Sequence, residues 1–459
     1  MNPKISRDRL GTEPILPLLF RLSIPGIISM TIQALYNVVD SFFVARLNEE
    51  ALTALAIAFP VHIFLIAVSV GTGVGTSSLI SRFLGQGRDV DAGKVAQHVM
   101  GAALVYGFVT FLLSFWIPRP LVQSFSNDPT VIQYGVQYIR IILMGSVFLF
   151  VSIIASDILR GQGNTFVPML SLMTGAVTNI VLDPLLIFGI GFFPRMEVTG
   201  AALATVFSKG VGCFLVLFLL FRGKDTIKPA MKPFTPDFSI LRQVYQVGLP
   251  SMFMQILTSV MIGGLNIIVG VYTESAIAVT GVYFRLQSFV LMPVFGLTQG
   301  YIPIVGYNYG ARNAKRMKQA LTYGLIVAFS ITCSGAALFR FFPETLIGLF
   351  NPGPEMAAIG TDALSTIALG LFVVGPAIIG ATTFQAIGLG LPSLALSFLR
   401  QMVLLLPLAW ILGRFYGLPG VWYAFPLSEL TTLVIMVVWL GSRLRKEFAA
   451  LSHTSDHKQ

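Results

Sequence analysis

Long apolar runs alternate with short polar turns along this chain, and the alternation occurs twelve times. The runs fall near residues 16–43, 51–81, 94–117, 131–157, 165–191, 198–221, 240–270, 276–306, 317–342, 357–385, 391–413 and 418–441. A helix needs about 20 apolar residues to cross the hydrocarbon of a bilayer, so each run predicts one membrane-spanning helix. The longest polar stretch, Arg222 to Gln243, divides the series into six and six. The predicted fold is therefore an all-α polytopic membrane protein. Residues 1–221 form an N-terminal bundle, 222–239 a linker, 240–443 a C-terminal bundle and 444–459 a tail.

The two halves are related in sequence. A shift of 225 residues places Pro25 on Pro250, Phe64 on Phe289, Gly71 on Gly296, Gly85 on Gly310, Gly145 on Gly370 and Gly163 on Gly388. Further on, a shift of 220 places Gly200 on Gly420 and Ser208 on Ser428. Six helices per repeat return the chain to its starting side, so both bundles share one orientation. They are related by a pseudo-two-fold axis along the membrane normal. Parallel repeats of this kind build secondary transporters whose substrate sites lie between the halves.

Composition agrees, with 55% hydrophobic and 11% charged residues among 459. The net charge of +10 raises the question of nucleic acid, but its distribution answers it. With both termini in the cytoplasm, twenty of the 30 Lys and Arg residues fall in inner segments, and only Arg46, Arg119, Arg195, Arg340 and Arg414 lie in outer loops. The positive-inside rule thus predicts a multi-pass protein of the bacterial inner membrane with cytoplasmic termini. Anionic lipid is the expected partner of the basic inner face. The polar first fifteen residues predict no cleavable signal peptide. Cys213 and Cys333 sit in apolar runs and form no redox motif, and the four histidines lack metal-ligand spacing. Gly71-Thr72-Gly73-Val74-Gly75 is not followed by Gly-Lys-Ser/Thr, so it reads as close helix packing rather than a phosphate loop.

Six charged residues fall inside the predicted spans: Asp40, Asp183, Lys209, Arg285, Arg400 and Glu429. Charge at this depth is costly and marks substrate or ion pathways. Counting about 1.5 Å per residue puts both aspartates in the outer half and Lys209, Arg285 and Glu429 near mid-membrane. Asn179 shares a helix face with Asp183, and Thr205 reaches the same depth. Asp40, Asn179, Asp183 and Thr205 therefore form a candidate oxygen-rich cluster, with Tyr36 and Asn37 one turn away. Two neighbouring carboxylates cannot both ionise freely, so one holds a proton, a cation such as Na+, or Lys209. Lys209 reads either as a structural partner of Asp183 or as part of transport. Arg285 and Glu429 are expected to pair across the eighth and twelfth helices, while Arg400 snorkels toward the cytoplasm. The repeat partners of Asp40 and Asn37 are Leu265 and Ile262, so ionic chemistry is confined to the first bundle. Pro25-Gly26 in the first helix predicts a hinge.

In order and spacing, several motifs resemble the multidrug and toxic compound extrusion family over roughly residues 14–443. They are Leu35-Tyr36-Asn37-Val38-Val39-Asp40, Gly85-Gln86-Gly87, Arg160-Gly161-Gln162-Gly163-Asn164, Asn179-Ile-Val-Leu-Asp183-Pro184 and Gly200-Ala201-Ala202-Leu-Ala-Thr205. The resemblance implies a V of two bundles that exports organic cations in exchange for H+ or Na+. It also implies a coupling site at the positions of Asp40, Asn179 and Asp183, with Thr205 beside it. Acids that some relatives carry in the second bundle are missing from the corresponding spans here. A lipid-linked saccharide flippase of the same superfamily is the rival, favoured by the cations Lys209, Arg285 and Arg400. No catalytic or Walker motif is present, so neither an enzyme nor an ATP-driven pump is expected. No cofactor is expected either, and the carrier is expected to act as a monomer.

Overall fold

The computed structural model describes residues 9–191, 193–223, 227, 229 and 236–452. Twelve helices are long and apolar enough to cross a membrane. The N-terminal six are α1 (Ile15–Ala45), α2 (Glu49–Gly85), α3 (Asp89–Leu113), α4 (Pro129–Gly161), α5 (Phe166–Phe188) and α6 (Glu197–Arg222). The C-terminal six are α7 (Phe238–Gly270), α8 (Glu274–Gly310), α9 (Ala314–Phe341), α10 (Pro354–Ala386), α11 (Gly390–Tyr416) and α12 (Leu418–Ser452).

Local chemistry explains the boundaries. Asn48 caps α2, its Oδ1 accepting from the Ala51 amide at 2.7 Å, and its repeat partner Thr273 caps α8 by accepting from Ser275 at 3.3 Å. Pro118 and Pro343, also 225 apart, each open a short helix, Pro118–Gln123 and Pro343–Gly348. Proline is preorganised for the first helical position, so the third and ninth spans end before these residues. Helix α12 runs on to Ser452, past the expected tail boundary, because Arg443 to Leu451 is rich in strong helix formers.

The duplication is visible in the packing. Gly145 of α4 lies against Val206 of α6, and Gly370 of α10 lies against Pro426 of α12, the equivalent pair. Each bundle has its own apolar core. A third core joins the first half of α1 (Ile15, Leu18, Leu19, Leu22) to α8, α9, α10 and α12.

Where the bundles meet, glycines set the spacing. A Cβ on Gly296 of α8 would lie 2.5 Å from Ile27 Cα of α1, and one on Gly248 of α7 would lie 3.0 Å from Gly71 O of α2. Gly85 and Gly310 bring α2 and α8 together in the same way, against Tyr307 and Arg82. Hydrogen bonds follow the same seam: Ser23 Oγ donates to Leu297 O (3.2 Å), Ser78 Oγ to Gln385 O (2.6 Å) and Asn308 Nδ2 to Leu10 O (3.0 Å). All these contacts lie in the halves of the helices nearest the two termini. Beyond them, Leu35, Phe64, Gln255, Ser259, Arg285 and Phe289 are exposed. The bundles are thus closed at the end carrying the termini and separated at the other.

Candidate functional site

The N-terminal candidate cluster is assembled by the register of three helices. Helices α5 and α6 run antiparallel: Ser171 Oγ donates to Gly212 O at 2.7 Å, and a Cβ on Gly175 would lie 3.1 Å from Ser208 O. Stepping four residues along each helix sets Asn179 opposite Ala204, with Thr205 the next residue on α6. Asn179 Nδ2 donates to Asp183 Oδ1 at 3.1 Å, and both residues are buried, at 1% and 0% exposure. Asn179 Oδ1 and Thr205 Oγ1 are buried with no hydrogen-bond partner among the described residues. Orphaned oxygens beside a carboxylate suit a cation or an acid proton, since unpaired buried polar atoms are costly.

Helix α1 packs on α5, and the rings of Phe43 and Phe188 meet edge to face at 6.3 Å. Three residues back from that contact on α1 is Asp40, and five back on α5 is Asp183, so their backbones lie at nearly one level. The Asn37 and Asp40 side chains fall outside the described residues. Tyr36 is described, and the Lys209 ammonium of α6 lies over its ring at 5.3 Å. Lys209 therefore meets α1 one turn from Asp40. Helix α1 is continuous through Pro25, and Ser29 Oγ donates to Pro25 O at 2.8 Å. Gly26 lies in the inter-bundle seam, a Cβ there meeting Gly296 O at 2.5 Å.

Sequence reasoning passed over His62. Its ring stacks on Tyr138 at 6.2 Å, and Lys209 is near enough to act on it electrostatically. The repeat held the signal: the position equivalent to His62 is Gln287, also polar, whose Nε2 donates to Tyr283 OH at 2.7 Å.

In the second bundle the expected pairing is corrected. Glu429 does not pair with Arg285. Its Oε1 accepts from Arg400 NH1 at 3.0 Å, with the two side chains 12% and 26% exposed. Arg400 thus turns inward rather than snorkelling. It lies in a π-helical segment of α11, Leu399–Leu405, whose wider turn changes which side chains face α12. No linear spacing rule revealed that segment. Arg285 stands exposed on α8 and enters no ion pair or hydrogen bond among the described residues. Leu265 and Ile262, opposite Asp40 and Asn37 in the repeat, belong to the apolar core of the second bundle.

A family model described as MatE matches residues 25–185 and again 250–411, one match per repeat. An FAD transporter of Shewanella oneidensis is 28% identical over 442 residues, covering 95% of this chain and 97% of its own. The multidrug export protein MepA of Staphylococcus haemolyticus is 23% identical over 437 residues, covering 94% and 95%. The outward-facing structure of a multidrug resistance MATE family transporter of the MOP superfamily superposes with a TM-score of 0.88, at 29% identity over 96% of this chain and 99% of that one.

Proposed function

The chain belongs to the MatE family of membrane transporters, and we propose that it exports organic compounds by antiport, coupled at the first bundle to protons in preference to sodium. The observation that carries this reading is the buried Asn179–Asp183 pair, with the buried Thr205 oxygen, unpartnered among the described residues, on the neighbouring α6 and the Asp40 helix alongside. Two carboxylates at one level naturally share a proton, because each raises the other's affinity for it. The same oxygens would serve a sodium ion, which is why the two gradients must be tested apart.

Antiport requires the ion to bind one conformation better than the other. A protonated Asp40 can donate a hydrogen bond and sit within the bundle, whereas the anion favours water or a bound cation. Closure at the terminus-bearing end, with the termini cytoplasmic, makes the described state outward-open. In that state an acid site meets the outside proton reservoir, and protonation releases a substrate that held the same carboxylate. Relatives named for multidrug export support organic substrates, while the relative named for FAD leaves substrate charge to be decided by the cleft itself.

The test is ethidium efflux from proteoliposomes, with pH and sodium gradients imposed separately at fixed voltage. Efflux driven by the pH gradient supports the reading. Efflux that sodium alone drives overturns the proton preference, and efflux indifferent to both gradients overturns antiport.

A further inference from the structure

Of the three intramembrane cations, two have partners within their own bundle: Lys209 lies over Tyr36 and Arg400 binds Glu429. Arg285 does not. Its direction follows from helix geometry at about 100° per residue. On ideal geometry Arg285, eleven residues before Gly296, lies on nearly the same face of α8, about 16 Å further along the axis, with Pro293 between them. Gly296 marks the face turned toward α1 of the other bundle. The opposite face is also marked: Tyr283 packs on Phe339 and Phe425 at 6.4 and 5.3 Å, and Val290 packs on Gly335. Arg285 therefore projects away from its own bundle, into the cleft above the closed seam. An ionised side chain there is stable only because the cleft admits water and solutes.

Its neighbours define what it would bind. Phe289 is one turn along the same face and 64% exposed. Its repeat partner Phe64, seven residues before the seam glycine Gly71 on α2, is 59% exposed. The cleft thus presents one aromatic ring from each bundle at matched height, with a guanidinium beside one of them. The repeat partner of Arg285 is Pro60, so helix packing does not demand a charge at this position.

We propose that Arg285, Phe289 and Phe64 form a substrate site in the cleft for planar aromatic anions. A guanidinium binds carboxylate, sulfonate or phosphate oxygens through two parallel hydrogen bonds, while exposed phenyl rings take a planar apolar body by stacking. The proposal rests on the antiport reading for what the cleft is for, and it reverses the charge expected of the substrate.

The purified full chain in detergent is titrated with flavin mononucleotide and with riboflavin, its neutral counterpart lacking only the phosphate, by flavin fluorescence quenching. The wild type is expected to prefer the phosphate on the order of tenfold. Arg285→Gln should abolish that preference without changing riboflavin affinity, Arg285→Lys should keep part of it, and Phe289→Ala should weaken both ligands. Equal binding of the two flavins by the wild type overturns the proposal, as does a preference that survives Arg285→Gln. If that variant does not fold, the wild-type comparison decides alone. Gradient-driven ethidium efflux without a phosphate preference refutes this site and leaves antiport standing. A phosphate preference without gradient-driven transport of either ligand does the reverse.

Discussion

Gly296 offers the most direct handle on the conformational cycle. A methyl group at this position would lie 2.5 Å from both Ile27 N and Ile27 Cα, and 2.8 Å from Gly26 C. These are backbone atoms of a long helix, and they cannot rotate aside. To admit Gly296→Ala, α1 and α8 must separate by about 1 Å, the difference from ordinary carbon contact near 3.5–4.0 Å. Overpacking of this kind costs roughly 1–3 kcal/mol. The cost falls only on the state in which the seam is closed. The equilibrium should therefore move toward the state closed at the opposite end by roughly 5- to 150-fold. Trp116 and Phe341 are repeat-related, 67% and 75% exposed, and lie at the separated end of the two bundles. Spin labels at cysteines introduced there, with the exposed Cys333 replaced by serine, report the gap by pulsed electron resonance. Gly296→Ala should shorten the distance distribution. Gly145→Ala is the control, because its methyl would strike Val206 within one bundle. It should lower thermal stability and leave the distances alone. If Gly296→Ala lowers stability and the distances do not move, the seam is not part of the conformational switch.

Four further outcomes are expected. Arg400→Leu and Glu429→Leu should each cost about 3–5 kcal/mol of stability, with the double variant recovering part, while Arg285→Gln keeps its melting midpoint; equal losses in all three would refute the Arg400–Glu429 assignment. Asp40→Asn and Asp183→Asn should abolish gradient-driven ethidium efflux from proteoliposomes while the proteins stay monodisperse, and an acid at Leu265 should not rescue Asp40→Asn; normal pH-dependent efflux by either variant would sink the coupling site. Asn179→Ala removes the donor to Asp183 and should slow efflux on the order of tenfold, measured in the same assay, and an unchanged rate would mean that hydrogen bond is idle. Arg312 has φ 58°, at the position where the first repeat has Gly87 with φ 72°; Arg312→Gly should raise the melting midpoint by removing roughly 1 kcal/mol of left-handed strain, and a fall would show that the side chain contributes more than the strain costs.

Much of the fold was legible because a bilayer imposes a coarse rule on sequence. Span count and the duplication follow from apolar run length and the two offsets, 225 and then 220, and the structure repeats those offsets down to glycine contacts. Asn179 and Asp183 could be paired from an i,i+4 spacing on one helix. Errors arose where the answer depended on contact between helices or on a departure from ideal helical turns. Counted depth put Arg285 level with Glu429 and sent Arg400 toward the cytoplasm, yet Arg400 is the partner. The π-helical segment at Leu399–Leu405 accompanies the inward turn of Arg400, and no residue pattern announced it. His62 alone carries no signal, since single histidines in apolar spans are usually packing residues; the signal is the polar residue at its repeat position, Gln287.

The connection between the repeats carries a mechanical consequence. Gln162, at the end of α4, grips Ile227 from both sides, its Oε1 accepting from the Ile227 amide at 2.7 Å and its Nε2 donating to the carbonyl at 3.2 Å. Ten residues on, the amide of Asp237 donates to His98 Nε2 of α3 at 2.8 Å, while His98 Nδ1 donates to Lys94 O at 2.8 Å. Helix α7 begins at Phe238, directly after that second tether. Its first turn is thus moored to the bundle it is about to leave. If the halves rocked, this moored corner would be the fulcrum. The far end of α7, 33 residues long, would then travel farther than its start. A small angular change at His98 would be levered into a larger displacement at the other face of the membrane.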